Sequence, residues 1–298
     1  MLEFREIKLK DAEKLKNYLN IDKVIMSDRV FQSLYIWKRH YRIGWCEKDG
    51  FLFIRNESLE YNMYYMPLGS GDIKKAVELI YATEKGNPFF IALITDQKRE
   101  EIQNCLDASA VVFETEEEYD YIYSSSDLIG LTGKKYQSKR NFINRFKVEY
   151  DGRWSFEAVD PQKDREEILC FLEKWMKIGN RNAEDFIAEE QAVKTALDNY
   201  NELGFLGAKL LLDGKIIAFT LAAKQNDDVM DILIEKADET VGAYQMINNE
   251  FARAFCGDVT YINREEDMGI EGLKKAKLSY QPVFLVKKYA AECNRETT

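Results

Sequence analysis

Five consecutive polar residues, Asn263-Arg264-Glu265-Glu266-Asp267, follow the short apolar run "VTYI" late in the chain. The run reads as a strand, and ligands in open α/β sheets gather at the C-terminal ends of strands. A carboxylate of Glu265 or Asp267 placed there, with Asn263 beside it, can take a proton from an attacking amine or orient an ammonium group. The same residues also fit a solvated charge run, and their spacing does not separate the two readings. In the helical segment "IEGLKKAKLSY" that follows, Lys274 and Lys277 stand one turn apart with Lys275 nearby, in position for phosphate or simply for water.

A second candidate is Glu239-Thr240-Val241-Gly242-Ala243-Tyr244, between a strand and a helix. A glycine turn at a helix start lets backbone N–H groups face an anion such as pyrophosphate, which makes Gly242, Ala243 and Tyr244 candidate donor-binding positions. A tight strand-to-helix turn explains the same glycine. The third candidate is "GKKYQSKRNFINRFK", residues 133–147, which carries Lys134, Lys135, Lys139, Arg140, Arg145 and Lys147 and no acid. On a helix, Phe142, Ile143 and Phe146 make one apolar stripe and the cations lie off it. Like charges so crowded repel unless something anionic is near. The segment is therefore expected to bridge two domains, with Lys134, Lys135, Lys139 and Arg140 at the mouth of a ligand groove.

Composition narrows the chemistry. The 298 residues hold one histidine, His40, so a multi-histidine metal site is excluded and any histidine-based nucleophile mechanism rests on that residue alone. His40 lies in the aromatic stretch "YIWKRHYRIGW" and reads as structural. Five dispersed cysteines without CxxC spacing fit reduced thiols and give neither a disulfide framework nor a zinc site. The formal net charge of −10 disfavours a general nucleic-acid binder, tRNA included, because phosphate contacts dominate that affinity. Apolar runs such as "FLGAKLLL" are strand-sized, against the ~20 residues of a membrane helix. The N-terminus lacks a signal-peptide pattern, so the expected location is the cytoplasm.

The elements that must position these residues occur twice. "RIGWCEKDGFLFIRNE" and "FLGAKLLLDGKIIAFTLAAKQ" are hairpins over Asp49-Gly50 and Asp213-Gly214. Each is preceded by a strand and a helix, and each is followed by a strand and a further helix. Asp72 reads as an N-cap, as does Asp160 with Pro161 at the first helical position. Ser124–Ser126 reads as a loop, and "VFLVKKY" as one closing strand. The class is α/β (α+β), in three parts: residues 1–127, a basic junction helix over 128–152, and residues 153–298.

These motifs together, "GKKYQSKRNFINRF", "VGAYQMINNEF" and "INREEDMGIEGLKKAKLSYQPVFLVKKY", resemble the C-terminal domain of lysyl-phosphatidylglycerol synthases. The resemblance covers nearly the full chain, and the basic helix is also similar to that of the peptidoglycan interpeptide-bridge transferases. It implies two tandem GNAT-like acyltransferase domains, with the groove mainly in the C-terminal one. It also implies transfer of an acyl or aminoacyl group to an amine or hydroxyl acceptor by direct attack. No tightly bound cofactor is implied, and the donor is either a coenzyme A thioester or an aminoacyl-tRNA. The alternative is a non-catalytic ligand-binding protein or interaction module on the same fold. The glycine turn departs from the acetyltransferase pattern Gln/Arg-x-x-Gly-x-Gly/Ala, with Glu239 first and Tyr244 last.

Overall fold

The computed structural model describes residues 1–178 and 183–294; residues 179–182 and 295–298 of the expected last domain lie outside that set. The strands are β1 (Arg5–Glu6), β2 (Ile43–Lys48), β3 (Phe51–Asn56), β4 (Asn62–Tyr65), β5 (Leu68–Gly69), β6 (Phe89–Thr95), β7 (Val111–Glu114) and β8 (Asp120–Ser124). After a helical stretch come β9 (Trp154–Ala158), β10 (Leu206–Leu212), β11 (Lys215–Asn226), β12 (Val229–Ala237), β13 (Tyr261–Asn263), β14 (Phe284–Val286) and β15 (Lys288–Cys293). One sheet has the order β1-β2-β3-β4-β6-β15-β7, with β5 on β3; the other runs β14-β8-β13-β12-β11-β10-β9.

The doubling is visible in both sheets. Asp49-Gly50 and Asp213-Gly214 take positive φ at both residues (50° and 79°, 50° and 75°), the backbone a two-residue hairpin demands. Each sheet also holds a parallel pair, β4 with β6 and β12 with β13. Helices Ile73–Glu84 and Ala243–Phe255 make the crossovers. Asp72 caps the former by accepting the N–H of Lys74. Ala243, Met246, Ile247 and Phe251 of the latter are buried, as their helical spacing requires. The chain thus has the tandem GNAT-like α/β architecture.

The chain divides differently from a simple cut in sequence. One unit comprises Met1–Asp120, Glu266–Gly269 and the chain from Val286 onward; the other comprises Tyr121–Glu265 and Ile270–Leu285. The reason is strand exchange: β15 inserts between β6 and β7, and β8 pairs with β13. The basic helix, Gln137–Glu149, lies inside the second unit and is not a separate junction. Ser124–Ser126, expected as a loop, ends β8 and opens helix Ser125–Gly130. The helix expected from Asp160 begins at Arg165, because Asp160 closes a turn by accepting the N–H of Gln162. "VFLVKKY" gives two strands, and Phe142 of the expected apolar stripe is exposed while Ile143 and Phe146 are buried. Among the described residues no helix is long and apolar enough to cross a membrane.

A buried charge cluster closes the first unit. Lys288 is 1% exposed, and its ammonium donates to Asp28 (2.6 Å) and Asp120 (2.9 Å). Asp120 also accepts the N–H and hydroxyl of Ser27. Burial opposes the Lys288 charge, but Asp120 and Asp28 outweigh it and hold the ammonium well above the ordinary lysine range. Burial pushes the nearby Glu266 carboxyl up, and Lys288 offsets part of that shift. Removing one partner of a buried pair strands the other, so Lys288→Met is expected to cost about 3–5 kcal/mol. Urea unfolding would measure this, and a loss under about 1 kcal/mol would show that the pair does not hold the unit together.

Candidate functional site

In the second unit the parallel pair opens. Registered pairing runs only over Val229↔Tyr261, Met230↔Ile262 and Asp231↔Asn263, yet β12 continues to Ala237. Beyond Asn263 the chain follows β8 instead: the N–H of Arg264 donates to Tyr121 O (3.1 Å), and that of Tyr121 to Glu265 O (3.3 Å). Glu265 takes a left-handed φ of 55°, and its N–H donates to Asn263 Oδ1 (2.8 Å). A gap therefore opens beside the second half of β12. Arg264 spans it by donating to Glu235 Oε1 on β12 (2.8 Å).

Around this pair several polar groups converge. Asn248, from helix Ala243–Phe255, donates to Glu235 Oε2 (3.3 Å). Thr220 on β11 stands opposite Glu235 in register and so shares its face of the sheet. Arg264 Nη1, Asn248 Oδ1 and Thr220 Oγ1 are buried and have no hydrogen-bond partner among the described residues. One open donor and open oxygens thus surround a single carboxylate. The rings of Tyr280 (4.8 Å) and Tyr123 (5.6 Å) flank the guanidinium. Burial opposes the Arg264 charge, but Glu235 outweighs it and raises its pKa above the ordinary range. Burial likewise pushes both tyrosines up, so they stay protonated across the working pH range.

Lys139 of the basic helix reaches the same ring. Its ammonium lies 4.0 Å from the Tyr280 centroid and donates to Ser279 Oγ (2.5 Å). Burial, then repulsion from Arg264, lowers its pKa from 10.5 to about 8.

Most of the other expected cations find local partners. Lys135 pairs with Asp127 (2.7 Å), Arg145 with Glu149 (3.4 Å) and Lys147 with Glu250 (2.9 Å). Arg140 donates to the carbonyls of Leu131 and Gly133, and Lys134 is exposed. For Lys135 and Lys147 the missing acids are supplied by neighbouring elements, and for Arg145 by the end of its own helix. Lys277 is buried, and its ammonium donates to the carbonyls of Arg264 (2.6 Å) and Glu265 (3.0 Å), fixing the diverging strand end. Lys274, expected on the same face, is exposed. Asp267 belongs to the first unit, where it accepts the N–H of Gly269 (2.9 Å).

Gly242 has a φ of +89°, and a Cβ there would lie 2.8 Å from the carbonyl oxygen of Phe142 and 3.0 Å from Phe146 Cβ. The basic helix thus packs directly on this turn, and close approach of backbone is what requires the glycine. Ala243 is buried and Tyr244 is 38% exposed. Residue spacing brings Asn263, Glu265, Lys139 and Lys277 to the strand opening or its supports. It missed Glu235, Asn248, Thr220, Tyr123 and Tyr280, whose one legible signal was the acid in the strand "DILIEKA".

A family model described as phosphatidylglycerol lysyltransferase, C-terminal, matches residues 25–292. An uncharacterised protein of Mycoplasmoides gallisepticum is 31% identical over 175 residues; the match covers 57% of this chain and 54% of that protein, so the chain spans about half the length of the curated relative it matches. A conserved Bacteroides thetaiotaomicron protein of unknown function is 35% identical, with a TM-score of 0.90 over 98% of this chain and 100% of that one. The C-terminal domain of a lysylphosphatidylglycerol synthetase from Agrobacterium fabrum, itself described as putative, superposes with a TM-score of 0.67 at 13% identity, covering 95% of this chain and 91% of that one. A tandem GNAT protein of the clavulanic acid biosynthesis pathway gives 0.51 at 9% identity, covering 100% of both chains.

Two measurements check this geometry. Nitrogen NMR or pH-dependent amine labelling is expected to find Lys139 titrating near 8, below the ordinary lysine range. A depressed lysine binds fewer protons folded than unfolded, so its contribution to stability grows as pH rises from about 8 to 10.5. Gly242→Ala should lower the unfolding free energy by about 1–3 kcal/mol, through the positive φ and the contact with Phe142. An unchanged denaturation midpoint would mean that the basic helix does not seat on the turn.

Proposed function

We propose, for a chain that belongs to the phosphatidylglycerol lysyltransferase C-terminal family, that it is an aminoacyltransferase whose reacting ester sits in the strand opening beside Glu235. The observation that carries this reading is the set of buried, unmatched polar atoms around that carboxylate, namely Arg264 Nη1, Asn248 Oδ1 and Thr220 Oγ1. An aminoacyl ester offers a carbonyl oxygen to accept from Arg264 and an ammonium to donate to Asn248, Thr220 and Glu235. Negative charge that develops on the carbonyl oxygen during attack is met by a guanidinium already held in place.

The acceptor amine must lose a proton as its nitrogen bonds to the ester carbon; the acyl C–O bond then breaks and the carrier leaves as a hydroxyl, which takes up that proton. Lys139, neutral above about 8 and sharing the Tyr280 ring with Arg264, is the group we assign to receive it. Asn263 and Lys277 position Arg264 by fixing the strand end. Glu265, half-buried and next in the chain, is the second candidate for the proton. An ester donor is favoured over a coenzyme A thioester because the basic helix covers the glycine turn against which a pyrophosphate would lie.

The test is transfer from charged tRNA to small amine and hydroxyl acceptors, with acetyl-coenzyme A run in parallel. Arg264→Ala is expected to lower turnover by about 10²–10³-fold, the usual effect of deleting a donor to a developing oxyanion. Turnover should rise with pH through about 8, and Lys139→Met should abolish that rise. A pH profile unchanged in Lys139→Met and lost in Glu265→Gln would transfer the role to Glu265. Transfer from acetyl-coenzyme A alone would overturn the choice of donor, and no transfer from either would favour a binding protein.

A further inference from the structure

The first unit carries a shallow, open surface cavity of about 350 Å³ lined by five cations, Arg5, Lys38, Arg39, Arg42 and Arg55, against two acids, Glu6 and Glu57. That is a local excess of three positive charges in a chain of net charge −10. Most of the cations come from "YIWKRHYRIGW", the stretch whose histidine alone drew notice in the sequence.

Three of the five are held in place by aromatic faces. The Arg5 guanidinium stacks over Trp45 (4.1 Å), that of Arg55 over Phe4 (4.1 Å), and the Lys38 ammonium over Tyr35 (4.0 Å). Stacking occupies the flat face of a guanidinium and leaves its N–H edge free for an oxyanion. Lys38 is further fixed by Glu6 (3.3 Å) and the carbonyl of Ile7 (2.6 Å), and Arg55 by Glu57. Arg55 Nε is buried without a hydrogen-bond partner among the described residues. Arg39 and Arg42 are exposed, and neither forms an ion pair among those residues. Cations held so close, with donors unspent, are expected to draw in an anion.

We propose that this cavity binds the phosphate or diphosphate group of a small phosphorylated ligand, independently of the strand opening in the second unit. Its size sits at the lower end of small-molecule pockets. Glu6 and Glu57 within the lining would repel a phosphate backbone running past the cavity, which favours a compact anion over a nucleic-acid strand.

Calorimetric titration of the full chain with inorganic pyrophosphate at low and moderate salt tests this. Saturable one-to-one binding is expected, weakened at least about tenfold in the double variant Arg39→Glu/Arg42→Glu, whose exposed positions leave the fold intact. Arg264→Gln, in the second unit, should leave that affinity unchanged. Equal binding by the double variant, loss of binding in Arg264→Gln, or no binding at millimolar pyrophosphate would each overturn the proposal. So would tight, steeply salt-dependent binding of a single-stranded RNA oligomer in the absence of pyrophosphate binding, since that is the behaviour of a nucleic-acid surface.

Discussion

A guanidinium enclosed by protein is tolerable only when a carboxylate meets it and its remaining donors find acceptors. Arg264 meets the first condition through Glu235 and leaves the second open at Nη1. Much of the second unit serves that pair. β12 must run past Asp231 to present Glu235, β13 must stop at Asn263, and the chain must then follow β8 so that Arg264 can reach back across the gap. Lys277 secures the diverging end from a neighbouring helix, and two tyrosines close around the charge. Replacing the pair with apolar residues would fill the opening.

The two units show how one supersecondary arrangement yields two outcomes. Both sheets carry an Asp-Gly hairpin and a parallel pair joined by a helix. In the first unit β4 ends at Tyr65, level with its last partner Ala92 of β6, and the N–H of Met66 closes that pairing on Ala92 O (2.8 Å). In the second unit β12 instead runs on to Ala237, past Asp231, the last residue registered with β13. A gap of this kind is stable only because side chains and neighbouring strands take over the lost backbone partners.

Local rules were legible in the sequence, and non-local ones were not. The hairpins, the Asp72 cap and the buried face of helix Ala243–Phe255 each follow from a few adjacent residues, and each is present. The unit boundaries depend on β8 and β15 pairing outside their own stretch of chain, which no window of sequence reveals. The site divides the same way. The polar cluster after β13 lies beside the strand opening, while Glu235, Asn248 and Thr220 reach it from three separate elements. The basic segment lacked acids only along the chain. Asp127 and Glu250 supply them in space, leaving Lys139 as the cation whose surroundings disfavour its charge.

The place of β15 sets an order of events during synthesis. This strand lies between β6 and β7, and Lys288 at its start donates to both Asp28 and Asp120. A ribosome that has released the first 120 residues has therefore delivered a sheet with its two edge partners waiting and a buried aspartate without its cation. The second unit, encoded later, holds nearly all its strands before the first can close. The sheet of the first unit therefore cannot close until Lys288–Cys293, which follow every strand of the second unit, have been made.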